Sequence, residues 1–350
     1  MADLARRFAE NPLVRPGDVR PSREGLDVQL TLNPGVFRWQ DRVYLLMRVA
    51  ERPRQVEGFV STIVADPDAE GGVRILRFRL DDPDVDVSDP RIIHYQGTTF
   101  LSSISHLRLA WSDDGVHFQV AEKPTLVGTG PLEAYGMEDA RVTEMEGTFY
   151  ITYTAVSENG IGVGLITTTD WQAFHRHGII LPPTNKDTAL FPERIGGMYV
   201  AFHRPIGVWL GGPYIWLSRS PDLLHWGDHV CLARTIPDSW EEQRLGAGGP
   251  PIRTPKGWLE IYHAANFEHR YCLGALLLDL EDPSRVLARS TEPIMEPTAA
   301  YERQGFFGEV VFTNGHVVDG DQITIYYGAS DEIICGATLS IQEVLASLGV

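Results

Sequence analysis

The sequence predicts an all-β protein, a five-bladed β-propeller with short helices at its two ends, and three observations carry that expectation. Short alternating or β-branched runs are punctuated by 34 Gly and 23 Pro, while helical periodicity over a dozen residues is scarce. A phrase made of a turn residue and an aromatic-rich strand recurs five times along the chain. A second phrase, a Ser or Thr followed by an aspartate turn and a closing aromatic, falls between copies of the first.

Taken in chain order, "DLARRFAE" reads as a short helix over about residues 2–9. The first strand phrase is "QDRVYLLMRVAE" (40–51), and the next, "GTFYITYTAVS", begins only at residue 147. That interval is too long for one blade of four short strands, so the first blade is expected to carry an insertion around residues 66–91. "GGMYVAFHRP" (196–205), "KGWLEIYHAAN" (256–266) and "GDQITIYYGASD" (320–331) complete the strand phrases. The aspartate phrases are "SDDGVHF" (112–118), "TTDWQAF" (168–174) and "SPDLLHW" (220–226), with "LDLEDPSRV" (278–286) as a degenerate copy. Their closing aromatics Phe118, Phe174 and Trp226 lie 56 and 52 residues apart, the length of a four-stranded blade. "SIQEVLASLGV" predicts a closing helix over about residues 340–348, and no low-complexity linker divides residues 1–350, which are expected to form one domain.

Composition narrows the function. Thirty Lys and Arg against 47 Asp and Glu give a net charge of −17, a field that repels polyanions, so no nucleic-acid partner is expected and any anion site must be a local pocket. Cys231, Cys272 and Cys335 are too few for a disulfide framework and match no metal spacing; they read as reduced core residues, with no metal site expected. The N-terminus has no apolar run behind its arginines and no later segment has the length of a membrane span, so a cytoplasmic protein without a membrane partner is expected. Whether it forms a homo-oligomer is open.

In a propeller, polar residues at the strand ends meet around a central channel. The strand phrases offer Arg48, Ser157, His203 with Arg204, His263, and Tyr327 with Asp331. In "YGMEDARV" (135–142), neighbours on a strand face opposite ways, so the parity of Arg141 selects Asp139 over Glu138 as the candidate acid. Lys186 in "TNKD", His203 and Arg204 would supply a point charge, a switchable donor and a bidentate fork, which suit a phosphate or carboxylate. Arg204 could equally pair with Glu193, and Lys186 could be a solvated turn residue. "LGAGGPPI" (245–252) could admit a close backbone approach or simply connect blades, and Trp216, Trp226, Trp240 and Tyr301 could stack on sugars or fill the core.

The segments "MEDARV", "TYTAVS", "LPPTNKDTALFPE", "FHRP", "SRSPDLLHWG", "LGAGGPPI", "LLDLEDPSRVLARS", "PIMEP" and "IYYGASD", in this order over residues 30–338, resemble the mannoside phosphorylases of glycoside hydrolase family 130. The resemblance implies a five-bladed propeller that cleaves β-1,2- or β-1,4-linked manno-oligosaccharides with inorganic phosphate, releasing α-mannose 1-phosphate with inversion. It implies Asp139 as catalytic acid, Arg141, Lys186, His203 and Arg204 around phosphate, and Asn33, Arg48 and Asp331 near the mannose. Tyr327 and His263 are added as substrate-binding candidates from the strand ends. Phosphate is a co-substrate and no other cofactor is expected: being already an anionic nucleophile, it replaces the base carboxylate of an inverting hydrolase. Two residues depart from the pattern, Glu309 in "GEVVF" where Asn is expected, and Gly249 where Pro is usual. Glu309 could read an acceptor hydroxyl or serve water as a base. A β-mannosidase using water and a non-catalytic carbohydrate-binding propeller are the alternative readings.

Overall fold

The computed structural model describes residues 3–207 and 209–350. Nearly every element is a strand; among the described residues the two α-helices are Ala300–Arg303 and Ile341–Ser347, the latter where the sequence places its closing helix, with the Ser340 side chain accepting the Glu343 N–H as N-cap. No helix among the described residues is long and apolar enough to cross a membrane. The three cysteines are free, Cys272 and Cys335 buried and Cys231 half-buried.

The strands follow one another as antiparallel meanders. An eight-stranded sheet divides at a single parallel pairing, Gly136 with Ser105, into two four-stranded halves; two four-stranded sheets and one five-stranded sheet supply the rest, giving five units in succession. Their opening strands are Leu26–Trp39, Gly136–Met145, Asn185–Leu190, Arg244–Ala247 and Val311–Asp319. The five repeated phrases of the sequence form the second strand of each unit: Arg42–Pro53, Thr148–Ser157, Tyr199–Pro205, Gly257–Ala265 and Gln322–Ala329. They are aromatic and β-branched because both faces are covered; Gly257–Ala265 is buried along its whole length.

Apolar side chains of neighbouring units interdigitate in a cyclic series. Phe37 and Leu46 meet Val142 and Ile151 between the first and second units, and Val163 and Leu165 meet Leu190 and Ala201 between the second and third. Phe202 and Leu217 meet Trp258 and Leu276, and Leu259 and Leu273 meet Ile323 and Ile325. Finally Val36, Leu45 and Met47 of the first unit pack on Val317, Tyr326 and Ile334 of the last. Each aspartate phrase closes a turn on its own backbone: Asp114 accepts the N–H groups of Val116 and His117, Asp170 those of Gln172 and Ala173, and Asp222 those of Leu224 and His225. The degenerate copy does the same, Asp279 accepting from Glu281 and Asp282.

The predicted N-terminal helix is not formed. Residue 2 lies outside the described residues, and Arg6–Arg7 is instead a strand paired with Thr338 and Ala337 at the edge of the last unit. An isolated helix of that length is marginal, whereas the open edge offers backbone partners, and Arg7 adds ion pairs with buried Glu302 and with Asp3. The expected insertion is present. Between the paired strands Arg42–Pro53 and Ile104–Ser112 the chain makes a two-stranded sheet, Phe59–Ala65 with Val73–Arg79, and a three-stranded one, Val85–Asp86, Ile92–Tyr95 and Thr98–Leu101.

Candidate active site

Four of the opening strands break register at the same place. Between pairings with the second strand, two residues bulge out: Asn33 and Pro34, Asp139 and Ala140, Asp187 and Thr188, Asn314 and Gly315. Asn33, Asp139 and Asp187 take left-handed backbone angles, φ 45°, 47° and 52°, which Asn and Asp tolerate better than other side chains. The bulge turns a side chain that would stand on one face of a sheet towards the neighbouring units.

The first two bulges put Asn33 and Asp139 on the floor of a cavity of about 360 Å³ lined also by Arg48, Glu138, Lys186, Arg204 and Asp331 together with Asp89, Arg91, Arg244, Tyr271, Phe306 and Phe312. Asp139 is buried; its Oδ1 accepts from Asn33 Nδ2 at 3.1 Å and Arg48 Nη1 at 3.2 Å, and its Oδ2 lies 3.8 Å from Lys186 Nζ. Burial alone would raise its proton affinity, but Arg48, Lys186 and Arg141 outweigh it and hold the carboxyl below its ordinary range. Arg48 bridges both neighbouring carboxylates, reaching Glu138 Oε1 at 2.8 Å, and is steadied by Ser105 Oγ at 3.0 Å. Asp331, also in the left-handed region, is pushed up to about 6, first by burial, with the Asp139 charge adding to the effect and Arg48 and Lys186 opposing it.

Beneath the floor, Asp187 is fully buried against Arg204 Nη1 at 2.8 Å, Arg141 Nη2 at 3.2 Å and His263 Nε2 at 3.3 Å, and the charges of Arg204, Arg141 and Lys186 hold it well below the carboxylate range despite its burial. Gly246 is glycine because a Cβ there would collide with the Asp187 carboxylate and the His263 ring. The close approach in "LGAGGPPI" therefore serves internal side chains. Arg204 lines the cavity, and its buried Nε has no hydrogen-bond partner among the described residues.

The sequence-derived residues thus separate into two groups. Asn33, Arg48, Asp139, Lys186, Arg204 and Asp331 share the cavity. Arg141, His203, His263, Tyr327 and Glu309 do not line it. Arg141 is an internal tie, donating to the carbonyls of Asp139, Ala247 and Gly248 while paired with Asp187. His203 has both ring nitrogens turned to Asn185 and His229, and burial drives it down to about 3, so it is neutral. His263, lowered to about 4 by burial, sits behind Asp187 and Arg204. Tyr327 donates to Glu302 within the core at 2.7 Å. Glu309 is paired with Arg303 at 2.9 Å and Arg270 at 3.4 Å, and the Arg303 hydrogen bond above all keeps it ionised. His203, His263 and Tyr327 stand on second strands, one place behind the opening strands, where the longer side chains of Arg48 and Arg204, facing Leu32 and Lys186 across the ladder, reach through; Arg141 is on an opening strand but turned to backbone carbonyls and Asp187, and Glu309 precedes the last opening strand. Parity also failed for Glu138, because the bulge lets both acidic neighbours reach Arg48. The recurring Asn or Asp followed by a small residue or Pro in "LNPG", "EDAR", "KDTA" and "TNGH" was the signal that could have found the floor.

A family model described as β-1,4-mannooligosaccharide phosphorylase, glycoside hydrolase family 130, matches residues 89–349. The chain belongs to glycoside hydrolase family 130. It is 42% identical over 348 residues, 98% of each chain, to a β-1,2-mannobiose phosphorylase of Listeria innocua. It is 41% identical over 244 residues, 69% of this chain and 80% of the other, to a 1,2-β-oligomannan phosphorylase of Thermoanaerobacter sp.. The solved structure of the Listeria innocua β-1,2-mannobiose phosphorylase in complex with β-1,2-mannobiose superposes with a TM-score of 0.95 over 99% of both chains. Among the described residues, no group of three or more His, Cys, Asp or Glu side chains is arranged to hold a metal ion.

Proposed function

We propose that this protein is an inverting glycoside phosphorylase that cleaves a β-mannoside, β-1,2-mannobiose or a short β-1,2-linked oligomannan, with inorganic phosphate to give α-mannose 1-phosphate. The single observation that carries the reading is the meeting of the Asp139 carboxyl with Lys186 and Arg204 in one cavity of a chain similar throughout its length to a β-1,2-mannobiose phosphorylase. We further propose that residues 1–350 form one catalytic domain arranged as a five-bladed propeller around that cavity. The five meanders, the cyclic series of cores and the N-terminal strand completing the last unit support this arrangement.

The chemistry follows from charge. A phosphate oxygen attacks the anomeric carbon from the face opposite the leaving sugar, so a β-bond becomes an α-phosphate, while Asp139 delivers a proton to the departing oxygen. Phosphate brings its own nucleophilic charge, and the step calls for no organic cofactor or metal. In the unloaded site Asp139 is held ionised by Arg48 and Lys186. An anion settling against Lys186 and Arg204 cancels part of that field, and the proton affinity of Asp139 rises. Phosphate binding therefore prepares the acid. Asp331 lines the same cavity as Asp139, and ionisation of one favours protonation of the other. Glu309 is held in ion pairs with Arg270 and Arg303 and does not line the cavity, which favours phosphate over water as the nucleophile.

Incubation of the protein with β-1,2-mannobiose and inorganic phosphate is expected to release mannose 1-phosphate with the α anomeric configuration. Release of free mannose alone, at a rate indifferent to phosphate, would overturn the reading.

A further inference from the structure

The insertion in the first unit adds cavity residues that no catalytic role claims. It contributes Asp89, Arg91, Ile92, Leu101, Ser102 and Ser103 to the lining. Arg91 is held from three sides: its own N–H donates to Asp89 Oδ1 at 2.9 Å, its Nε and Nη2 grip the same carboxylate at 3.0 and 2.7 Å, and its carbonyl accepts from Ser102 at 2.9 Å. So fixed, its guanidinium lies 5.1 Å from the centroid of the Phe307 ring, a cation–π contact between the insertion and the loop leading into the last unit. Phe307 is tied in turn to the Ser330 carbonyl at 2.9 Å, immediately before Asp331, and Phe306 lines the cavity beside it. Two segments far apart in sequence thereby close together over the cavity. The Asp89 fork occupies Nε and one edge of Nη2, leaving Nη1 donors of Arg91 for hydroxyl groups.

We infer that the Arg91–Phe307 bridge is the specificity determinant of the acceptor end, binding the hydroxyls of the second sugar and excluding a third, so that the preferred substrate is a disaccharide. The inference rests on the phosphorylase reading above. It fits the size of the cavity, about 360 Å³, near the small end of the roughly 300–1,000 Å³ spanned by ligand pockets. It also explains why the insertion, remote from Asp139 in sequence, is braced by an ion pair and an aromatic contact.

The test compares kcat/KM for β-1,2-linked mannobiose, mannotriose and mannotetraose, at saturating phosphate, in the wild type and in Arg91→Ala and Phe307→Ala. The wild type should favour the disaccharide over the trisaccharide by at least about tenfold, as expected when one subsite is closed. Each variant should lose about tenfold on the disaccharide, chiefly in KM, and bring the trisaccharide close to it. Arg91 is half-exposed, and Phe307→Ala opens the same bridge from the other side, so a folding defect in one variant does not decide the matter. Equal wild-type rates on all three lengths, or variants whose length ratio is unchanged, would overturn the inference while leaving phosphorolysis standing. Absence of mannose 1-phosphate from every length would overturn the phosphorylase reading itself.

Discussion

Lys186→Met removes the positive charge that lies 3.8 Å from Asp139 Oδ2 and faces the proposed phosphate position. At an effective dielectric constant of about 20 the pair attracts by roughly 4 kcal/mol, a ceiling on what its loss can do to the proton affinity of Asp139. Arg48 stays in place at 3.2 Å and the Lys186 side chain is 19% exposed, so the realised effect falls below that ceiling. The sign is fixed: without the lysine the Asp139 carboxylate is less stable, its pKa rises, and the protonated acid persists to higher pH. Initial rates of mannobiose phosphorolysis, measured against pH and phosphate, separate the two consequences. The basic limb of kcat/KM for mannobiose should move upward in pH. The phosphate KM should rise about 10- to 150-fold, the loss of one charge-assisted contact of about 1.5–3 kcal/mol. An unmoved basic limb together with an unchanged phosphate KM would refute both the assignment of Lys186 to phosphate and the electrostatic link to Asp139.

Other expected outcomes concern the residues placed beneath and beside the cavity. Asp187→Ala leaves Arg141 and Arg204 buried without their shared carboxylate and should cost about 3–5 kcal/mol in denaturant unfolding at neutral pH. Because the folded-state pKa of Asp187 is depressed, its stabilisation is complete above about 4, the ordinary carboxylate value, and fades as the pH falls through the lower folded value. The variant should therefore lose less stability on acidification than the wild type, and equal unfolding midpoints at neutral pH would contradict the role given to Asp187. Glu309→Gln should leave the partition between phosphate and water unchanged and alter stability by no more than about 1 kcal/mol, its carboxylate being 36% exposed in its ion pairs. A gain or loss of free mannose among the products would place Glu309 in the chemistry after all.

How legible the molecule was depends on the range of the interaction that fixes each part. The aspartate turns could be read directly, since Asp114, Asp170 and Asp222 bond to amides two and three residues away. The second strands were equally plain, because burial on both faces writes a continuous aromatic and β-branched run. The N-terminal segment was misread because its local pattern competes with a partner more than 300 positions away in the chain. Within the site, Arg48 and Arg204 were found through their strand phrases, whereas Arg91 and Glu138 were not: one depends on where the insertion folds, the other on a bulge that parity arguments presume absent.

Composition and repetition by themselves determined that the chain is built from strands, that its units recur with a common turn chemistry, and that an anion could be held only in a local cluster of cations. Those properties follow from local hydrogen bonding, period-two burial and net charge, all of which are functions of neighbouring residues. Which carboxylate meets which cation was decided only by the tertiary structure. Left-handed bulges turn Asn33, Asp139 and Asp187 towards adjoining units, and residues more than 90 positions apart, such as Arg48 and Asp139, become ion-paired neighbours. Charges separated by that length of chain acquire a definite distance, and with it a definite proton affinity, only once the sheets between them have packed.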